Sequence, residues 1–169
     1  QFVRDARIAH IYEGTNGIQA LDLVGRKLGK DGGRAIQAFF RIVGEEAAAA
    51  KSDERTAALA AAVERANGDL QTATMWLMQN GMANPNNAGA AAYPYMTLMG
   101  IVCLGLMWLR MAKASAEALA EGTDDPTFHE NKLVTARFFA EKVMPETNAL
   151  RRKIESGSES LMALPAEAF

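Results

Sequence analysis

From residue 82 to residue 109 the chain carries no charged side chain. An uncharged run of this kind approaches the ~20 apolar residues that a transmembrane helix needs. It also suits the central helix of a soluble bundle, which is apolar on all sides because other helices cover it. Asn87 and Pro94 interrupt the run early and leave little spare length for a membrane span. We therefore predict a central bundle helix over residues 93–112 and no membrane span.

The segments around this run are amphipathic and need an apolar partner. Residues 34–51, 52–80 and 128–144 each show apolar positions at helical spacing. The second of these stripes is close to a heptad repeat, the pattern that packing in a helix bundle requires. Its members are Leu59, Val63, Ala66, Leu70, Ala73 and Leu77. Since no segment shows a convincing strand pattern, we predict an all-α fold: two helical segments followed by an antiparallel bundle of about four helices.

Glycine, asparagine and proline mark the breaks between helices. Residues 29–33 read Gly-Lys-Asp-Gly-Gly, and glycine at a helix C-terminus commonly ends the helix. We place a domain boundary there. The sequence Asn-Pro-Asn-Asn at 84–87 predicts a loop over residues 81–89. The sequence Gly-Thr-Asp-Asp-Pro at 122–126 predicts the end of one helix and the cap of the next.

Charge and cysteine content exclude some classes of function. The net charge of −2 gives no general attraction to nucleic acid or to an anionic membrane. The single cysteine, Cys103, rules out an internal disulfide and is compatible with a cytoplasmic location, which we expect. The chain begins with Gln1 in what reads as the middle of a helix, so we expect a fragment of a longer protein.

Residues 11–19 read Ile-Tyr-Glu-Gly-Thr-Asn-Gly-Ile-Gln. In this sequence no other stretch has a pattern that indicates a catalytic or binding site. Glu13 precedes Gly14, where the backbone can turn sharply or a ligand can approach closely. Thr15 and Asn16 are short polar residues of the kind that start a helix, and helical spacing follows from Ile18. Glu13 is therefore predicted on a short turn before a helix N-terminus. Unpaired backbone N–H groups at that position suit an anion or a polarised carbonyl.

This stretch, together with Arg-Asp-Ala-Arg-Ile at residues 4–8, resembles the C-terminal signature of flavin-dependent acyl-CoA dehydrogenases. The resemblance extends to about Leu28. The rest of the chain resembles the extra C-terminal domain of a bacterial subgroup that includes the 3-methylthiopropionyl-CoA dehydrogenases. The resemblance implies that residues 1–30 end the helical C-terminal domain of such an enzyme and that residues 31–169 form an appended helical bundle.

The resemblance also implies roles for individual residues. Glu13 would be the catalytic base, Gly14 would contact the substrate, and Thr15, Asn16 and Gly17 would contact FAD. An acyl-CoA substrate, an electron-transfer flavoprotein partner and a homo-oligomer are further implications. An ordinary glutamate, with a pKa near ~4.3, is too weak a base for a C–H bond, so desolvation beside an aromatic ring and an acyl chain would have to raise its pKa. Without the resemblance, Glu13 would be only a helix-start carboxylate that stabilises the helix dipole by ~0.3–1 kcal/mol.

Other chemically active residue types favour structural roles. His10 and His129 are isolated, and no His, Cys and Asp spacing suggests a metal site. Cys103 has no basic neighbour in the apolar run, which predicts an inert buried thiol. Arg-Arg-Lys at 151–153 is interpreted as a solvated helix end, with a contact to CoA phosphate as the alternative. Seven methionines are expected to fill the core, with an adaptable ligand surface as the alternative. They are Met75, Met78, Met82, Met96, Met99, Met107 and Met111.

The resemblance thus implies that the chain is the C-terminal part of an enzyme that desaturates an acyl-CoA thioester between its α and β carbons, and that the fragment alone is inactive. The alternative is a non-catalytic helical module for assembly, or a lid. The feature that favours this alternative is the apolar content after Gly33, together with the lack of a cluster of site-like residues there.

Overall fold

A computed structural model describes residues 1–11 and 15–168, and within these ranges the regular secondary structure is entirely helical. The all-α prediction is confirmed. The described residues form seven α-helices, with short 3₁₀ segments at Arg7–His10, Lys30–Gly33 and Ala166–Ala168. The helices are α1 (Phe2–Ala6), α2 (Thr15–Asp22), α3 (Arg34–Ala50), α4 (Glu54–Ala83), α5 (Pro85–Glu121), α6 (Pro126–Lys142) and α7 (Glu146–Glu155).

Helix α5 is the centre of the bundle and packs against α2, α3, α4, α6 and α7. Among the described residues it alone has the length and hydropathy that a membrane span requires. Its Tyr95, Leu98 and Leu109 side chains are fully buried in the shared core, as expected for a central bundle helix. Another side of the same helix stays exposed.

The heptad stripe on α4 is buried as predicted, from Leu59 through Leu77. Short connections place consecutive long helices side by side. The turn between α5 and α6 uses the predicted caps: Gly122 ends α5 at φ 86°, and the Asp125 carboxylate accepts the Phe128 N–H at 3.0 Å. Helix α4 starts at an equivalent cap, where the Asp53 carboxylate accepts the Arg55 N–H at 2.8 Å.

Buried hydrogen bonds join the core helices. The Tyr95 and Thr74 hydroxyl groups lie 2.7 Å apart between α5 and α4. The Asn67 side-chain amide donates to the Phe40 carbonyl at 3.1 Å, joining α4 to α3. These bonds fix how the apolar stripes meet, because each polar group is buried and needs its partner.

The predicted loop over residues 81–89 is wrong. Asn84 alone leaves the helical conformation, at φ −141° and ψ 110°. A residue before proline disfavours the helical conformation, while proline itself suits the first turn of a new helix. Pro85 takes that position, and the Asn84 side chain caps the new helix by accepting the Asn86 N–H at 3.0 Å. Asn87 and Pro94, which we expected to interrupt the run, both lie inside α5.

The predicted break at residues 29–33 is a tight turn between the helical segment that ends near Leu28 and α3. Asp31, Gly32 and Gly33 all have positive φ, at 53°, 68° and 77°. Glycine adopts this region without the steric cost that a Cβ imposes. The turn coincides with the expected domain boundary, which itself stays a prediction.

The expectation that the methionines fill the core is wrong for five of the seven, whereas Met96 and Met99 are partly buried and Met99 packs against the core. Met75, Met78, Met82, Met107 and Met111 are exposed in this chain. Helical spacing alone cannot tell an apolar stripe that faces the core from one that faces outward, so these residues belong to surface stripes on α4 and α5.

Candidate functional site

The helices on both sides of the Glu13 turn are described, although Glu13 and Gly14 themselves lie outside the described residues. Before the turn, the 3₁₀ segment Arg7–His10 ends with the Ile11 N–H donating to the Ile8 carbonyl at 3.0 Å. After it, α2 begins at Thr15. The predicted helix end and the predicted helix start are therefore both present, while the turn between them lies outside the described residues and the roles of Glu13 and Gly14 stay predictions.

Thr15, Asn16 and Gly17 form the first turn of α2 and are all exposed. A Cβ built on Gly17 would have no neighbour within 4 Å, so space is open above this turn. The first N–H groups of a helix lack partners within the helix and favour negative charge. This turn can therefore donate hydrogen bonds to an external polar or anionic group, while its role toward FAD stays a prediction.

Several apolar side chains in the segments before and after residues 12–14 are exposed. The exposed fractions of these side chains range from 52% to 91%. Exposed apolar side chains in such number are typical of a segment that another polypeptide or a ligand covers. We call this set the N-terminal apolar surface; it comprises Phe2, Val3, Ile8, Ile11, Ile18 and Leu21.

Helix α2 continues into one π-helical turn, Leu23–Lys27, closed by the Leu28 N–H donating to the Leu23 carbonyl at 2.8 Å. Asp22 lies at the junction and accepts from Arg26 at 2.9 Å and from Lys27 at 3.1 Å. Hydrogen bonds from Arg26 and then Lys27 lower the pKa of Asp22 to about 2. A carboxylate held ionised in this way is a poor proton acceptor, so Asp22 is a poor candidate for a catalytic base.

An ion-pair network joins α4 to α7. The Arg151 Nε donates to Asp69 at 2.9 Å, and the Thr147 hydroxyl donates to the other Asp69 oxygen at 2.9 Å. Arg151 also donates to both Glu155 oxygens, at 3.1 and 3.0 Å. The interpretation of residues 151–153 as a solvated helix end is therefore wrong for Arg151, which is partly buried and ion-paired, whereas Arg152 and Lys153 are exposed as expected. No linear signal reveals this network, since Asp69 and Arg151 are 82 residues apart.

The remaining reactive residue types have structural surroundings. Cys103 is partly buried, and burial raises the pKa of its thiol, so it is mostly protonated and unreactive at neutral pH. The His129 Nδ1 lies 3.2 Å from the buried Ser115 hydroxyl. In the part of the chain that the structure describes, no three His, Cys, Asp or Glu side chains come together as metal ligands would.

A polar cleft of about 730 Å³ opens between the α4–α5 connection and the segment after α7. The Asn80 and Asn87 side-chain amides in this cleft form hydrogen bonds within the chain. The Asn87 Oδ1 accepts both the N–H and the hydroxyl of Ser158, at 3.0 and 2.8 Å. Its Nδ2 donates to the Asn80 carbonyl at 3.3 Å, and the Asn80 amide donates to the Trp76 carbonyl at 2.9 Å. The hydrogen bonds in this cleft hold the segment that follows α7 against the start of α5.

Curated relatives match almost the whole chain. It is 34% identical, over 96% of its length, to a 3-methylmercaptopropionyl-CoA dehydrogenase of Ruegeria pomeroyi. It is 31% identical, over 100% of its length, to a broad-specificity linear acyl-CoA dehydrogenase of Mycobacterium tuberculosis. A butyryl-CoA dehydrogenase of Syntrophomonas wolfei is 27% identical over the same span. The chain spans only 28% or 29% of the length of these relatives.

A protein-family model also matches, and it covers most of the helical bundle. The matched residues are 34–165, from the start of α3 to beyond the end of α7. The family is described as acetyl-CoA dehydrogenase C-terminal like. By this match over more than half of its residues, the chain belongs to the acetyl-CoA dehydrogenase C-terminal-like family.

Proposed function

We propose that this chain is the C-terminal part of an FAD-dependent acyl-CoA dehydrogenase and that Glu13 is its catalytic base. The observation that carries the proposal is the mycobacterial match over 100% of the chain, because it includes the Glu13 turn as well as the bundle. The names of the relatives all describe acyl-CoA dehydrogenases. Since this chain spans less than a third of them, most of the active site would lie elsewhere in the polypeptide, and the isolated chain should be inactive.

The chemistry divides between the cofactor and the Glu13 turn. Bound FAD would accept a hydride from the β carbon of the acyl group. Glu13 would take the α proton, so that the C–H electron pair at the α carbon becomes the new C=C bond. Backbone N–H groups at this turn would donate to the thioester oxygen as negative charge develops there. The exposed first turn of α2, with open space above Gly17, would hold polar groups of FAD through Thr15 and Asn16.

The N-terminal apolar surface supports the placement of the turn inside a larger enzyme. Six exposed apolar residues on both sides of a proposed catalytic turn need a covering surface, and a desolvated base needs the same. We propose that the rest of the polypeptide and the acyl chain cover this surface. The boundary near residue 30 would then separate the part that belongs to the catalytic domain from the appended bundle.

Substrate, partner and location are proposed on the same basis. Relatives that act on butyryl and 3-methylmercaptopropionyl thioesters point to a short acyl-CoA. We propose 3-methylthiopropionyl-CoA as the first substrate to test, because the relative named for it is 34% identical. An electron-transfer flavoprotein as electron acceptor, a homo-oligomeric enzyme and a cytoplasmic location complete the proposal.

The test is anaerobic reduction of the flavin in the full-length protein that carries Glu13→Gln. Removal of a general base lowers the rate of such a step by roughly 100- to 10,000-fold. Glu130→Gln is the matched control, because Glu130 is exposed on α6. Near wild-type reduction of the flavin by acyl-CoA in the Glu13→Gln protein would show that another residue is the base.

A second function is proposed for residues 31–169, as a non-catalytic module for assembly or as a lid. The observation that favours it is the ion-pair network of Asp69, Arg151 and Glu155, which ties charged groups into the bundle rather than into a site. Deletion of the bundle from the full-length protein separates the two roles. Loss of the oligomer with unchanged turnover supports assembly, whereas a changed acyl-chain preference supports a lid.

A further inference from the structure

Helix α2 links the proposed catalytic turn to the bundle. Both α2 and the π-helical turn that continues it pack against α5. Ala20 is 1% exposed and Leu28 is 7% exposed. Leu28 belongs to the core of the bundle, and Leu23 and Val24 pack against that core. The side of this helical segment that meets the bundle therefore includes Ala20 near its start and Leu28 at its end.

An uninterrupted α-helix would not place these two residues on one side. An α-helix turns by about 100° per residue, so residues eight positions apart differ in direction by about 80°. Residues seven positions apart nearly coincide in direction, and the residue seven positions after Ala20 is Lys27. A continuous α-helix would therefore direct the Lys27 charge toward the bundle, in the place that Leu28 takes.

The π-helical turn avoids this burial of a charge because it accommodates one extra residue. Its hydrogen bond runs from the Leu28 N–H to the Leu23 carbonyl, five residues back. Leu28 thereby reaches the side of Ala20, and Lys27 reaches the side of Asp22. The Lys27 Nζ lies 3.1 Å from the Asp22 carboxylate, five residues earlier, whereas an α-helix brings together residues three and four apart. The Lys27 side chain is accordingly 53% exposed.

We propose that the bundle fixes the rotation of α2, and with it the direction of the Glu13 turn, and that the π-helical turn sets this register. This role rests on the proposed function, because it concerns the placement of the base. Ala20 and Leu28 are positioning residues, since they act through α2 rather than through a contact with acyl-CoA or FAD. A wrong rotation would move the base away from the α proton, and a misplacement of about 1 Å can lower a rate about 100-fold.

Changes of length at Gly25 test the register in the full-length protein. In an ordinary α-helix, removing one residue and adding one are equally disruptive, because each rotates the two ends by about 100°. Here, deletion of Gly25 converts the π-helical turn into an α-helical turn and keeps Ala20 and Leu28 on one side. One alanine inserted after Gly25 would instead bring Lys27 to the buried side.

The expected result is therefore an asymmetry between the two changes. We expect reduction of the flavin by acyl-CoA to stay within about threefold of the wild-type rate after the deletion and to become about 100-fold slower after the insertion. Gly25→Ala is the matched control, because it keeps the length and its Cβ would have no neighbour within 4 Å. The control should reduce its flavin at the wild-type rate.

Two further measurements separate positioning from loss of the fold. The acyl-CoA concentration that gives half the maximal rate should change little after the insertion, because most substrate contacts would lie in the rest of the polypeptide. Hydrogen exchange, followed by mass spectrometry, should become at least about tenfold faster in residues 15–28 after the insertion and stay unchanged in α4 and α5. The deletion should leave the exchange of all these segments as in the wild type.

Ala20→Gln is a second disruptive variant, for the case that the insertion variant does not fold. A larger polar side chain at this buried position should release α2 and lower the rate in the same way. Equal effects of the deletion and the insertion, or an insertion and an Ala20→Gln change that leave rate and exchange unaltered, would overturn the proposal. A wild-type flavin that acyl-CoA does not reduce would contradict the proposed function, while the exchange of residues 15–28 would still decide the register.

Discussion

Replacement of Tyr95 by Phe tests the buried hydrogen bond between α5 and α4. The single Thr74 hydroxyl hydrogen donates to the Leu70 carbonyl at 2.7 Å. Tyr95 must therefore be the donor in the 2.7 Å contact between the two hydroxyl groups. Tyr95→Phe removes this bond but leaves Thr74 bonded to Leu70, so we expect a loss of about 1 kcal/mol of unfolding free energy. Thr74→Val leaves a fully buried tyrosine hydroxyl without its acceptor and should cost about 1–3 kcal/mol.

The same residue gives the fold a defined alkaline limit. Burial raises the pKa of Tyr95 from 10.0 to about 12. Above pH 10 the unfolded chain loses the phenol proton while the folded chain keeps it, so stability present below pH 10 is lost as the pH rises toward 12. A difference of this size corresponds to roughly 2–3 kcal/mol. Tyr95→Phe should lack this contribution to the alkaline loss.

The assay is urea unfolding followed by circular dichroism at neutral pH and at several values between pH 10 and pH 12. Tyr93→Phe is the matched control, because Tyr93 lies on the same helix and is 57% exposed, whereas Tyr95 is 0% exposed. The control should change stability by less than about 0.5 kcal/mol and keep the alkaline slope of the wild type. Equal effects of the two substitutions would refute the buried donor and the pH dependence derived from it.

Two further predictions concern the ends of the bundle, both measured by urea unfolding. Gly157→Ala should lower the unfolding free energy by about 1–2 kcal/mol because of its φ of 68°, and by more because the new Cβ would lie 3.1 Å from the Asn87 Oδ1. Gly122→Ala, at φ 86° and with open space around it, should cost the conformational part alone. Equal losses of stability in the two variants would mean that the Asn87 side chain moves away from the new Cβ at no cost. Asp69→Ala should cost about 1–2 kcal/mol because Arg151, whose side chain is 26% exposed, loses its partner on α4. A change below about 0.5 kcal/mol would show that solvent replaces the bond completely.

The periodic features of this chain can be predicted from its sequence because they depend only on the polarity of each residue and on its spacing. The buried stripe from Leu59 to Leu77 follows directly from its spacing, and so do the caps at Gly122 and Asp125. The predicted loop between α4 and α5 is too long, because one asparagine in an extended conformation followed by a proline is enough to separate two helices.

Outward-facing and long-range features are not readable in this way. The exposed apolar residues of α5, such as Leu104 and Met107, have the same helical spacing as a buried stripe. Only the packing of α4, α6 and α7 on other sides of α5 shows which stripe is left exposed. The Arg151–Asp69 pair depends on how α7 folds back onto α4. For the candidate site, the motif predicts a turn before a helix, and the structure adds the exposed start of α2 and the N-terminal apolar surface around it.

The most direct test of the account is the visible spectrum of the purified full-length protein before and after anaerobic addition of 3-methylthiopropionyl-CoA. We predict a flavin spectrum that bleaches on addition of the thioester, as the flavin is reduced and Glu13 takes the α proton. A protein that purifies without flavin, or a flavin spectrum that no acyl-CoA changes, would contradict the proposal that this chain completes an acyl-CoA dehydrogenase.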